Sequence, residues 1–161
     1  PLDRIEIYTD GSSLGNPGPG GYGIVMKYKN IVKEASGGFQ KTTNNRMELL
    51  AVIQALRMLN KYAKELEIVI YSDSKYVIDA IEKGWVFNWV KKGFVNKANA
   101  DLWRRFLNIY PKYKVRFQWV KGHSGVPENE RCDILAKKAA ETQPLKIDVG
   151  YIDSLPGKKL F

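Results

Sequence analysis

Two short β-type runs each end on an aspartate. Ile5-Glu6-Ile7-Tyr8-Thr9 leads into Asp10, and Ile68-Val69-Ile70-Tyr71-Ser72 leads into Asp73. The first run alternates with period two and puts Ile5 and Ile7 on one face; the second is β-rich throughout, as a central strand is. Acids at the carboxyl ends of strands stand where α/β sheets collect their sites, so adjacency of these strands would bring Asp10 and Asp73 together. Glu48 opens a long apolar helical stretch and Asp133 opens another. Four carboxylates from distant segments that can converge point to hard cations.

The pattern between these acids is that of one α/β domain, and 161 residues with 44% hydrophobic content suffice for one sizeable core. A Gly/Pro-rich loop is expected over 11–21, then strands over 22–29 and 31–39 joined by a hairpin at Lys29-Asn30. Thr42-Thr43-Asn44 offers caps for a helix marked by Leu49, Val52, Ile53, Leu56 and Leu59. Met47, Leu50, Ala51 and Ala55 make that helix apolar on nearly all sides, which predicts burial. A strand over 66–72, a helix over 75–83 capped by Ser74 or Ser72, a helix over 99–110 and a strand over 115–120 follow. Pro127-Glu128-Asn129-Glu130 opens a last helix to about Glu141, with proline in the first turn and acids at the positive end of the dipole. Periodicity is lost from Thr142, so 142–161 is expected to be an irregular or loosely docked tail to a domain of residues 1–141. Strand–helix–strand connections imply parallel pairing after the opening meander. The expected fold class is α/β: a mixed five-stranded sheet, three antiparallel strands and then parallel ones, with helices on its faces.

Lys and Arg total 26 against 17 Asp and Glu, a formal net charge of +9. That balance favours a phosphate-bearing partner or an acidic surface. One cysteine, Cys132, leaves no internal disulfide and suits a reducing compartment. One histidine and one cysteine exclude an ordinary zinc site. No stretch approaches the ~18 apolar residues of a membrane span. No charged-then-apolar leader opens the chain, so no secretory signal is expected, and Pro1 is compatible with removal of an initiator methionine.

Carboxylates and a polyanion together suggest phosphodiester chemistry. Two divalent ions about 4 Å apart can activate water and stabilise the leaving oxygen. Mg²⁺ prefers oxygen ligands. Asp10 is the candidate bridging ligand, with Gly11 expected to let the backbone bend closely around the ions. Any one of these acids, taken alone, reads equally as a cap or surface charge; the four contexts together carry the inference.

Four segments, in order, resemble type 1 ribonuclease H: YTDGSSLGNPGPGGYG at 8–23, TTNNRMELLAVIQAL at 42–56, YSDSKYVIDAI at 71–81 and WVKGHSGVPENERCDILA at 119–136. The likeness is greatest to the stand-alone bacterial enzymes. It implies a ribonuclease H-like fold and cleavage of the RNA strand of RNA–DNA hybrids, leaving a 5′-phosphate and a 3′-hydroxyl. Two Mg²⁺ ions, or Mn²⁺ as a substitute, would serve the reaction. By resemblance Asp10 and Asp133 hold the nucleophile-side metal, and Asp10, Glu48 and Asp73 hold the leaving-group-side metal. His123, in the loop Gly122-His123-Ser124-Gly125, would shuttle a proton or ease product release.

The resemblance also implies how a hybrid is chosen. Asn16, Asn44 and Asn45 would meet the minor groove, where the 2′-hydroxyl is displayed and amides can answer it as donor and acceptor. In isolation the same asparagines read as turn and cap residues. Lys41 and Thr43, with Asn99, would line a phosphate pocket for the DNA strand. Residues 84–97 resemble the family's basic protrusion, with Trp85 and Trp89 four apart on one helical face and Lys91, Lys92 and Lys97 adding charge. The plainer reading makes the tryptophans core, Trp85 above all, and the lysines a solvated face. A monomeric cytoplasmic enzyme acting on the hybrid duplex is expected, with no membrane partner. The rival readings are another polynucleotidyl transferase of this architecture, a non-catalytic hybrid-binding module, and a domain of a reverse transcriptase.

Overall fold

A computed structural model describes residues 3–157; Pro1 and the last four residues of the tail lie outside the described residues. Strands β1 (Arg4–Ser13), β2 (Gly18–Tyr28) and β3 (Ile31–Thr42) form the antiparallel meander. Helix α1 (Asn44–Arg57) leads to β4 (Glu67–Ser72), which pairs parallel to β1. Helices α2 (Lys75–Glu82), α3 (Trp85–Lys91) and α4 (Ala100–Ile109) then precede β5 (Lys114–Trp119), parallel to β4. Helix α5 (Pro127–Glu141) and short α6 (Val149–Ser154) close the described chain. The sheet order is β3-β2-β1-β4-β5, the mixed five-stranded arrangement the sequence implied.

The register sets the site. Tyr8 lies opposite Tyr71 across the parallel β1–β4 pair. Asp10 and Asp73 follow two residues later on each chain, so the two runs deliver their acids side by side.

The glycine-rich segment departs from expectation. It was expected to be a loop over 11–21, but β1 runs on to Ser13 and β2 begins at Gly18, leaving only 14–17 between them. The glycines serve packing. A Cβ on Gly21 would stand 2.4 Å from the Ala136 carbonyl oxygen, and one on Gly23 would stand 2.3 Å from that of Cys132. Helix α5 therefore lies directly on the backbone of β2. One residue out of phase, a Cβ on Gly20 would meet Thr42 and Met47 on the opposite face. Strand alternation thus places α1 and α5 on the two sides of the sheet.

Helix α1 is buried along nearly its whole length, from Arg46 to Leu56, as its all-round apolar pattern requires. Thr43 caps it, its hydroxyl accepting from the Arg46 amide. Leu59 falls beyond the helix, which stops at Arg57. Ser74 caps α2 by accepting from the Val77 amide, while the Ser72 hydroxyl accepts from the Ser74 amide, so both candidate caps are used.

The segment after Thr142 is built into the fold. Lys146 bridges in parallel to Phe39, accepting from the Gln40 amide at 2.7 Å and donating to the Gly38 carbonyl at 3.1 Å. Asp148 is buried, caps α6, accepts from Thr42 at 2.7 Å and takes two hydrogen bonds from buried Arg46 at 2.8 and 2.9 Å. Asp101 takes two more from Arg46, at 2.8 and 2.7 Å. Burial alone would weaken the Arg46 cation, but Asp101 and Asp148 outweigh it and hold its pKa above the usual value. The tail was read as loose because its contacts are with residues about a hundred positions away.

Removing Asp148 strands a buried guanidinium. Asp148→Ala is expected to cost about 3–5 kcal/mol in urea unfolding, and Asp101→Ala less, because Asp101 is 43% exposed. A cost below ~1 kcal/mol for Asp148→Ala would show that the tail is not integral to the fold.

Candidate active site

The four acids line one open pocket at the carboxyl ends of β1 and β4, together with Asn44, Asn45 and His123. Carboxylate oxygens of Asp10, Glu48 and Asp73 lie within 4.8 Å of one another. Asp133 shares the pocket, but its carboxylate is paired with Lys137 one helical turn on, at 3.0 Å.

Each acid arrives for a different reason. Asp10 and Asp73 come from the parallel register. Glu48 comes from the second turn of α1, which rests on β1 where Gly11 has no side chain: a Cβ there would stand 2.3 Å from the Glu48 amide nitrogen. Gly11 was expected to bend the backbone, but it is an ordinary strand residue whose value is space. Its amide donates to Asp10 Oδ1 at 2.9 Å and to Glu48 Oε1. Asp133 comes from α5, held against β2 by the glycines.

Crowding the acids changes their chemistry. Burial, with the nearby Asp73 and Asp133 charges, pushes Asp10 up to about 7 against the opposing hydrogen bonds of Glu48 and Gly11. Glu48 is buried and held well above the ordinary carboxylate range, first by burial and then by Asp10. Asp73 is raised by burial and by Asp133, while the Asn129 amide and His123 oppose the shift. Glu48 Oε2 is buried without a hydrogen-bond partner.

The other expected residues divide into groups. Asn16 accepts from the Asn44 amide at 3.1 Å, and Asn44 Oδ1 accepts from the Ser13 amide and hydroxyl at 2.7 and 3.0 Å. These bonds pin the loop to the start of α1, with Asn45 beside them on the pocket wall. His123 is exposed, with a left-handed backbone at φ 55°. Its neighbour Gly122 lies so close to Asp73 that a Cβ would stand 2.8 Å from Oδ2. Lys41 is exposed beside the capping Thr43. Asn99, also left-handed, starts α4 and reaches Arg46 and Tyr76.

The protrusion forms a separate cleft of about 270 Å³ lined by Trp85, Asn88, Trp89, Lys92, Val95 and Lys97. The plainer reading of Trp85 as core is overturned: it is 43% exposed. The interior places in this segment go to Val86 and Phe94. Trp89 is half-buried, edge-on to Trp103, with Lys97 over its ring at 5.1 Å. Lys91 is exposed outside the cleft. Four residues on or behind the pocket wall escaped sequence reading: Lys75, Tyr76, Asn129 and Lys137. Asn129 and Lys137 stand one turn before and after Asp133, a spacing that could have flagged them.

A family model described as RNase H matches residues 3–141. The chain belongs to the ribonuclease H family. Members of that family are metal-dependent endoribonucleases. A ribonuclease H of Shewanella loihica is 52% identical, over 93% of this chain and 96% of its own length. A ribonuclease H of Desulforamulus reducens is 52% identical over 92% and 94%. Among solved structures, LC9-RNase H1, a type 1 RNase H with the type 2 active-site motif, is 31% identical with a TM-score of 0.77. The match covers 88% of this chain and 74% of that one. LC11-RNase H1, solved in complex with an RNA/DNA hybrid, is 26% identical over 85% of this chain and 96% of its own, with a TM-score of 0.62. The likeness to stand-alone bacterial enzymes read from the motifs therefore holds. No helix among the described residues is long and apolar enough to cross a membrane.

A carboxyl group whose folded pKa exceeds its unfolded value opposes folding once ionised. The penalty from Asp10 is absent below about pH 4 and complete above about pH 7. Asp10→Asn is therefore expected to stabilise the metal-free protein at pH 8 by on the order of 2–4 kcal/mol, with little effect at pH 4. Thermal melts in chelator at both pH values test this. Equal effects at the two would mean that Asp10 is not held in the crowded state described.

Proposed function

We propose that this protein hydrolyses the RNA strand of RNA–DNA hybrids, leaving a 5′-phosphate and a 3′-hydroxyl, with two Mg²⁺ ions held by Asp10, Glu48, Asp73 and Asp133. The observation that carries the reading is the convergence of Asp10, Glu48 and Asp73 oxygens within 4.8 Å of one another, with one Glu48 oxygen buried and unpartnered. That donor set fits a hard divalent cation: all oxygen, concentrated negative charge, and one ligand atom with no other use. Mn²⁺ fits the same donors. When bound, the ions supply water activation and stabilisation of the leaving oxygen.

The chain's own groups do the rest. The Gly11 amide fixes Asp10 and Glu48 with one donor, so these carboxylates need not reorganise. Lys137 holds Asp133 at the pocket rim. His123, exposed and next to Asp73, exchanges protons with solvent and with the departing product. Asn16, Asn44 and Asn45 face the minor groove of the hybrid, where their amides meet 2′-hydroxyls and base edges. Lys41, Thr43 and Asn99 receive a phosphate of the DNA strand. Trp85, Trp89, Lys91, Lys92 and Lys97 hold the duplex by stacking and charge without reading sequence. The working unit is residues 1–141 as a monomer, with the described part of the 142–161 tail packed upon it. A cytoplasmic location accords with the one buried free cysteine.

End-labelled hybrid, RNA duplex, DNA duplex and single-stranded RNA, incubated with and without Mg²⁺, test the reading. Only the RNA strand of the hybrid is expected to be cut, and only with metal. Asp10→Asn should lower kcat by about a thousandfold or more, and His123→Ala by about 10–100-fold. Binding without cleavage under either metal would make the protein a hybrid-binding module. DNA cleavage would move it to the integrase and junction-nuclease branch. Replacing Lys91, Lys92 and Lys97 should reduce the salt dependence of binding by about one phosphate contact for each lysine that touches the backbone.

A further inference from the structure

The face of the sheet on which Asp10 stands is only partly covered. Helix α5 lies against β1, β2 and β3 on that side, and β4 and β5 continue beyond it. The registers place Val25, Tyr8, Tyr71 and Gln118 in one row across four strands, and Lys27, Glu6, Val69 and Arg116 in the next. Tyr8 and Tyr71 stack, with ring centroids 4.5 Å apart and planes 11° from parallel. The Tyr71 hydroxyl is fixed too: it donates to Glu6 Oε2 at 2.9 Å, and Arg4 donates to the same oxygen at 3.4 Å. Cross-strand pairing accounts for the contact between the rings. It leaves the second face of Tyr71, on the β5 side, with exposed Gln118 as its neighbour in the row. The Gln118 amide donates to the adjoining Trp119 carbonyl at 3.2 Å, a local contact that a ligand can replace.

We propose that Tyr71 and Gln118 form a subsite for one unpaired base of single-stranded RNA that continues from the strand held at the carboxylates. The inference rests on the reading of the pocket as a hybrid-cleaving site. Place decides the occupant. Tyr8 and Asp10 share a face of β1, and Tyr71 and Asp73 are likewise two residues apart, so the ring pair stands about 7 Å from the acids along the strands. That is about two stacked nucleotides of a strand leaving the pocket. The row lies across the sheet from α1, on which the α4 base of the protrusion packs. Chemistry agrees with place. A ring face accepts any base, and a primary amide offers a donor and an acceptor to the base edge. The acids around the rings are each answered from within: Glu6 by Arg4 and Tyr71, Glu67 by Arg116 at 3.3 Å and Glu128 by Lys27 at 2.8 Å. Lys114, exposed and on the same face as Arg116 and Gln118, has no ion pair among the described residues, which leaves a cation for a phosphate.

The test compares a blunt hybrid with hybrids carrying a short single-stranded extension on either end of either strand. Binding is measured in chelator, where hybrid is bound but not cut, at one salt concentration. Each protein is scored by its own ratio of Kd for blunt and extended hybrid, so a general effect of a substitution on folding or on the pocket cancels. In wild type, an extension at one end of the RNA strand is expected to tighten binding about tenfold, and the same extension built from abasic nucleotides should give no gain. Tyr71→Leu should abolish the gain, Tyr71→Phe should keep most of it, and Gln118→Ala should lower it severalfold. Equal gains in wild type and Tyr71→Leu would overturn the assignment. So would a gain as large from abasic or DNA-strand extensions, the same loss in Tyr71→Phe as in Tyr71→Leu, or no gain from any RNA extension. A gain untouched by Gln118→Ala would remove Gln118 from the subsite. Failure of wild type to bind the blunt hybrid would instead overturn the reading of the pocket itself.

Discussion

The site depends on how closely α1 can approach β1, and that approach depends on the missing side chain at Gly11. With a Cβ there, the strand and the Glu48 backbone could not occupy their positions. Because they do, one amide hydrogen serves two carboxylates, and Asp10 and Glu48 share a nearly dry space. The raised proton affinities follow directly from that enclosure and from Asp73 and Asp133 nearby. In a protein without cations such an arrangement opposes folding. The same arrangement is well suited to ions that replace the missing counter-charge, which is why the crowding reads as function.

A second constraint works from the far side of the sheet edge. Arg46 lies one turn inside α1 and is almost entirely buried, so its charge must be met on the spot. Asp148 meets it from the tail and Asp101 from α4, each with a pair of hydrogen bonds. The same guanidinium reaches Asn99, and through it Tyr76 at the pocket. The tail is thus connected to the substrate-facing wall through a run of polar contacts. The α2–α4 region, which carries the protrusion, is anchored at its base to α1 by this hub and by the packing of Trp103 and Phe106.

Much of this was legible from residue order. The strand runs before Asp10 and Asp73, the hairpin at Lys29-Asn30, the Thr43 and Ser74 caps and the all-apolar α1 are local signals, and local physics generates them. Three readings were less successful, two of them because their cause lies far along the chain. The glycines of β2 looked like loop residues, since nothing nearby shows that α5 will lie against them. The tail looked loose because its partners are Phe39, Gln40 and Arg46. Trp85 looked like core by size and spacing, yet Val86 and Phe94 hold the interior places.

By itself the sequence determined the element order, the parallel pairing of the two acid-bearing strands, the basic charge and the residue types able to hold hard cations. These follow from periodicity, capping and composition, which act over a few residues. Only the tertiary structure decided which acids converge most tightly. Asp10, Glu48 and Asp73 form the close group, and Asp133 stands at the rim on Lys137. It also decided that Glu48 lacks a partner for one oxygen, that Asp148 belongs to the core of the fold, and that the Tyr76 hydroxyl accepts from Trp103 and Asn99. Each of these depends on distances between segments tens of residues apart, and packing of helices on a shared sheet sets such distances.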